Sequence, residues 1–202
     1  MLDMIFKPLY YLKIKWEVDG QISKKQFDYH IPVLFSIVIS IILILIDFFV
    51  KIPDKSSINP NIFDSDFAAL ICGFLQTIPG FYIAALAAIA TLNSVTMDRP
   101  MVGTPPTEMI IETNPYREVV VPVSRRLFLS SLFAYLSFVS LFLYFLTLIF
   151  KYFYNLDVFP VAVWLYELLY FCNLLIFNFL FIQMIMLTLM GLYYLGDRVH
   201  RN

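Results

Sequence analysis

Four long apolar windows separated by polar segments organise this chain. The first, residues 31–50, reads IPVLFSIVISIILILIDFFV; the others cover residues 67–92, 127–150 and 161–194. Each holds the roughly 20 mainly apolar residues that a helix needs to cross a bilayer, so the pattern predicts four transmembrane helices. The fourth window is longer than one crossing requires. Trp164 and Tyr166 near its start and Tyr193 and Tyr194 at its end predict a tilted helix with aromatic rings at both interfaces.

Between the second and third windows the period changes. Residues 109–111 and 119–123 are short apolar runs flanking Asn114-Pro115-Tyr116-Arg117, the pattern of a small β-hairpin. Near the N-terminus, Leu12, Ile14, Trp16 and Val18 alternate with Lys13, Lys15 and Glu17 before Asp19-Gly20, a period-two signal. A lone hairpin is marginal in water, so this segment is expected to pair with residues 107–123 in one small sheet. The alternative is an amphipathic stretch on the membrane surface, with Tyr10, Tyr11 and Trp16 among the headgroups.

Composition agrees with the windows: 60% of the 202 residues are hydrophobic and 14% are charged, against about 25% charged in a typical soluble domain. The fold class expected is therefore an all-α membrane protein of four transmembrane helices with a small cytoplasmic β-hairpin or sheet. Cys72 and Cys172 lie inside apolar runs and are expected to act as small buried hydrophobes. No removable signal peptide is expected, which leaves the first helix to direct insertion.

The positions of the cations orient the helices. Eleven of the 14 Lys and Arg residues fall in residues 1–30, 93–126 and 195–202, and only Lys51, Lys55 and Lys151 fall in the other two loops. By the positive-inside rule both termini and the hairpin loop are expected in the cytoplasm. The net charge of −1 argues against nucleic acid as a direct partner.

Candidate chemistry inside the windows is polar but uncharged. Ser40, Gln76, Ser137, Ser140 and Asn178 fall near mid-span, where they either bond helix to helix or line a narrow pore. Asp47 and Glu167 are expected at the interfaces, leaving the bilayer core without charge. In the second window Gly80, Ala84 and Ala88 repeat every four residues, a smooth flank suited to close helix contact within the bundle or between copies, while Pro79 is expected to kink or split that helix. His30 and His200 have no ligand partners at metal spacing, and no nucleophile elbow, P-loop or dinucleotide fingerprint is present. No catalytic residue, metal site or cofactor is therefore expected.

At the third window's entry, Ser124 is a candidate N-cap, followed by Arg125 and Arg126. Two cations in a first helical turn oppose the helix dipole, so Arg125 and Arg126, with Arg117 on the hairpin, are read as contacts to anionic lipid or to a cytoplasmic partner, or as topology-setting charges. FYIAALAAIATLNS, the following Asp98-Arg99-Pro100-Met101, the hairpin and SRRLFLSSLFAYLSF together resemble small four-span membrane accessory proteins encoded beside prokaryotic antiviral systems, including RADAR-type and type VI-B CRISPR loci. That resemblance implies an inner-membrane location and a role in regulating, anchoring or executing a defence response, and it supplies no catalytic residues. The function expected is a non-enzymatic accessory or effector, homo-oligomeric, in contact with membrane lipids and coupling a cytoplasmic partner or signal to the membrane. A housekeeping channel or transporter subunit and a membrane-embedded lipid-modifying enzyme are the rival readings.

Overall fold

The computed structural model describes residues 2–17, 20, 22–49, 62–64, 66–101, 103–113, 116–155 and 163–198. Four long helices occupy the four apolar windows: Ile31–Phe49 (span one), Asp66–Thr91 (span two), Arg125–Asn155 (span three) and Val163–Tyr193 (span four). Each is long and apolar enough to cross a membrane, so the chain is a membrane protein with a helical transmembrane body. Pro79 lies buried inside span two without dividing it, since one missing N–H still leaves the flanking turns hydrogen-bonded.

Strands Thr107–Thr113 (β1) and Tyr116–Pro122 (β2) form the expected antiparallel hairpin, with Thr113 opposite Tyr116 and Thr107 opposite Pro122. Asn114 and Pro115 of the expected turn lie outside the described residues, as do Val18, Asp19, Lys51, Lys55, His200 and Arg201 and the side chains of Asp47 and Arg117.

The N-terminal segment follows the period-two reading in part: from Leu12 to Glu17 burial alternates with exposure, whereas the residues before it are helical. Leu2–Ile5 is a single helical turn and Lys7–Lys13 a 3-10 helix; among the described residues Lys15 pairs with the hairpin, exchanging two backbone hydrogen bonds of 2.8 Å with Thr107. Tyr11 at the end of the helical part and Ile14 in the extended part are both fully buried at the cap end of the body, where the hairpin sits. The Tyr11 ring stacks on Tyr135 at 5.3 Å, and the edge of Trp16 meets Phe128 at 5.4 Å.

Span two packs along span three, span three against span four, and span four against span one. Span two turns Leu75, Tyr82 and Ile89 inward, and the Tyr82 and Thr188 hydroxyls are hydrogen-bonded between spans two and four. Gly80, Ala84 and Ala88 consequently face outward, and a Cβ added at Gly80 would meet nothing within 4 Å. Within one chain the small-residue flank is therefore not a helix contact, because the larger residues on the opposite side offer more surface to bury. Close approach occurs elsewhere. Ser36 and Ser40, four residues apart, are buried on span one, and at Gly191 a Cβ would come within 3.1 Å of Phe133 and 3.2 Å of Leu132.

The helices differ in length, which shapes the cap. Span one has 19 residues, about 29 Å, whereas spans three and four have 31 each, about 46 Å, against a hydrocarbon core of about 30 Å. Asn178 Nδ2 donates to Ser40 Oγ at 2.9 Å and sets one common level. From there span four runs 15 residues to Tyr193, while span one runs nine back to Ile31. Helical turns carry span one on beyond Ile31 to Lys24, 16 residues from Ser40. At the opposite end Phe63, fully buried, is ringed by Phe150, Tyr154, Tyr170 and Phe177 with centroids 5.1 to 6.2 Å away.

Candidate functional site

The densest polar chemistry among the described residues lies where the cap meets the helices, at two separate ties. The first forms because span one starts earlier than its apolar window. Ser23 and Gln26 form a reciprocal capping box, Ser23 N donating to Gln26 Oε1 at 3.1 Å and Gln26 N to Ser23 Oγ at 3.3 Å. Helical turns from Lys24 through the π-helical stretch Gln26–His30 then lead into span one. On those turns Lys24 and Asp28 are one turn apart and face inward.

Asp28 is only 1% exposed, and Lys24 Nζ stands 2.7 Å from its Oδ2, which has no other partner. The same ammonium donates to the Tyr11 carbonyl at 3.2 Å and sits 4.0 Å over the Tyr11 ring. Burial, reinforced by the neighbouring Asp28 carboxylate, pushes the Tyr11 phenol well above its ordinary range, so it stays protonated and donates to Asp28 Oδ1 at 3.3 Å. Gln183 Nε2 donates to the Asp28 carbonyl at 2.8 Å, and Tyr135 donates to Gln183 Oε1 at 2.8 Å. One network therefore joins the N-terminal segment to spans one, three and four. A buried charge pair of this kind stabilises only while complete, because either ion alone would be left desolvated.

The second tie is Arg126, the second residue of span three. Ser124 caps this helix, accepting the Leu127 N–H at 3.2 Å, and the first turn aims Arg126 at the last carbonyls of span two. Its Nη1 donates to the Ile89 carbonyl at 2.7 Å and its Nη2 to the Leu92 carbonyl at 2.8 Å, while Nε meets Asp98 Oδ1 at 2.6 Å. The unfavourable place of a cation at one helix N-terminus is offset by a favourable place at another's C-terminus. The hydrogen bond from Arg126 holds the Asp98 carboxyl below its ordinary range. Arg125, in contrast, makes no side-chain hydrogen bond among the described residues, and its Nε is buried without a partner.

The mid-span residues named from sequence do not converge. Ser40 and Asn178 bond to each other, Ser140 Oγ donates back to the Ser137 carbonyl at 2.9 Å, and Gln76 is exposed on the outer face of span two with no hydrogen-bond partner among the described residues. Glu167 is exposed, Cys72 is half-buried, and Cys172 faces outward, where a buried thiol had been expected. The sequence does not show that Lys24, Asp28, Tyr11, Tyr135 and Gln183 join in one network. The capping-box spacing of Ser23 and Gln26 just before an apolar run was the available signal. No protein-family model, curated protein or solved structure matches this chain.

Proposed function

We propose that this chain is a membrane-embedded coupling protein, an accessory or effector and not an enzyme, whose cap receives a partner or signal and passes it to the helices. In this reading both termini and the hairpin are cytoplasmic, as the distribution of Lys and Arg favours. The observation that carries it is the double tie: the Asp28 network holds the N-terminal segment to spans one, three and four, and Arg126, where the hairpin enters span three, holds the end of span two and Asp98. The hairpin enters span three through Pro122, Val123 and Ser124 without a glycine-rich linker. A stiff joint transmits displacement that a flexible one absorbs.

The response belongs to the helices. Polar mid-span groups that bond internally supply no polar column inside one chain, so a permeability change is assigned to assembly of several copies through the outer face of span two. There Gln76 and the Gly80/Ala84/Ala88 flank are presented together. A defence role beside an antiviral system is the biological setting that the layout suggests.

The test separates cap from helices. Replacing residues 114–117 by a Gly-Ser turn should leave insertion intact and abolish the partner-dependent effect on the membrane. Asn178→Leu should retain partner capture and change the membrane response. Co-purification and dye entry into cells are measured in parallel. Loss of both properties in both variants, or of neither in either, overturns the reading.

A further inference from the structure

We infer that the cleft between the N-terminal segment and the first turns of span one is a binding site for the phosphate-bearing headgroup of a membrane lipid. The inference stands whether or not the cap relays a signal. A cleft of about 430 Å³ opens between residues 12–17 and 24–29. Lys15, Lys24 and Lys25 line it together with Trp16 and Tyr29, and Glu17 and Asp28 are its acidic groups.

These charges are not equivalent. Lys24 is consumed by Asp28 at 2.7 Å, which cancels both. Among the described residues Lys15 and Lys25 are exposed and have no side-chain partner, and the lining carboxylate outside the Lys24–Asp28 pair is that of Glu17. A surplus cation in a polar recess recognises an anion, and two ammonium groups can share the oxygens of one phosphate.

The depth of the cleft selects the kind of anion. The uninterrupted apolar stretch of span one starts at Ile31, three residues after Asp28. The cleft mouth therefore lies where headgroups meet hydrocarbon. Trp16 and Tyr29 are the amphipathic rings enriched at that boundary. The chain's first residues continue the same surface toward lipid: Met4, Ile5 and Phe6 are all exposed, and Phe6 approaches Phe138, 13 residues into span three, at 6.4 Å. A phosphate held at Lys15 and Lys25 would place its acyl chains along that apolar surface.

Trp16 reports on the site directly once Trp164, the only other tryptophan, is replaced by Phe. The Trp164→Phe protein is placed in nanodiscs of phosphatidylcholine containing equal fractions of acyl-brominated phosphatidylglycerol or acyl-brominated phosphatidylcholine. Trp16 quenching by the anionic lipid should exceed that by the zwitterionic lipid by about threefold, and the double variant Lys15→Gln/Lys25→Gln should abolish the difference. Lys7→Gln/Lys13→Gln, outside the cleft, should preserve it, and unchanged melting of each variant confirms the fold. Inorganic phosphate at 10 mM should not displace the lipid; displacement would overturn the lipid assignment in favour of a soluble phosphate ligand. Equal quenching by the two lipids, or a difference that survives Lys15→Gln/Lys25→Gln, overturns the site.

Discussion

Removing the Arg126 side chain tests whether the second tie is a helix cap or a surface ion pair. In Arg126→Ala the carbonyls of Ile89 and Leu92 lose donors at 2.7 and 2.8 Å, and Asp98 loses its partner. Charge-assisted hydrogen bonds of this kind contribute roughly 1.5–3 kcal/mol each. Arg126 is 26% exposed, so the lower end applies to its two carbonyl bonds, which together come to about 3 kcal/mol. Asp98 is 62% exposed and solvent-screened, so its share is small. For a chain of this size the loss corresponds to a fall in melting temperature of roughly 6–12 °C. Thermal unfolding in detergent, followed by circular dichroism, should therefore rank Arg126→Ala well below wild type and Arg126→Lys between them, because an ammonium cannot reproduce the fork. Asp98→Ala and Arg125→Ala should lie close to wild type. An Asp98→Ala loss as large as that of Arg126→Ala would refute the reasoning, since the stabilisation would then reside in the ion pair.

Three further outcomes follow from the same geometry. Lys24→Met should cost about 3–5 kcal/mol by stranding the Asp28 carboxylate, while Lys24→Met/Asp28→Leu should recover most of that loss; equal instability of the single and double variants in chemical unfolding would contradict the pair's role. The Asp98 carboxyl lies lower in the folded than in the unfolded chain, so its small stabilising contribution is complete above about pH 4 and is lost as the pH falls through the folded value; the slight difference in melting between wild type and Asp98→Asn at neutral pH should vanish in that acid range. Gly191→Leu should destabilise the monomer by about 1–3 kcal/mol through overlap with Phe133 and Leu132, whereas Gly80→Leu should leave monomer melting unchanged and shift only oligomer size on a sizing column.

Hydropathy made the four helices legible because a spanning helix must satisfy its own backbone and present apolar side chains along its whole length. The hairpin was legible from its alternation and turn residues. The N-terminal segment was legible in part: its period-two pattern holds from Leu12 to Glu17, while the helical turns before it bury Tyr11 against Tyr135 and Phe128, which only tertiary structure brings there. The Gly80 flank was visible as a pattern, but a pattern does not say which side of a helix faces its neighbour; Leu75 and Tyr82 turned the other side inward. Lys24 and Asp28 were hidden by placing the start of span one at its first apolar residue, although Ser23 and Gln26 spelled an earlier start. Arg126 was noticed for its unfavourable position on its own helix, while its favourable one at the end of span two depends on tertiary structure alone.

The central claim is that cap and helices form one rigid unit through the two ties. Spin labels at positions 110 and 192, both exposed, placed in a chain whose Cys72 and Cys172 have been replaced by Ser, measure it in lipid vesicles by pulsed electron paramagnetic resonance. The account predicts a single narrow distance distribution in the otherwise unaltered protein and a broad one when Arg126→Gln and Lys24→Met are combined. A distribution already broad before the ties are cut, or one that stays narrow after both are cut, would contradict it.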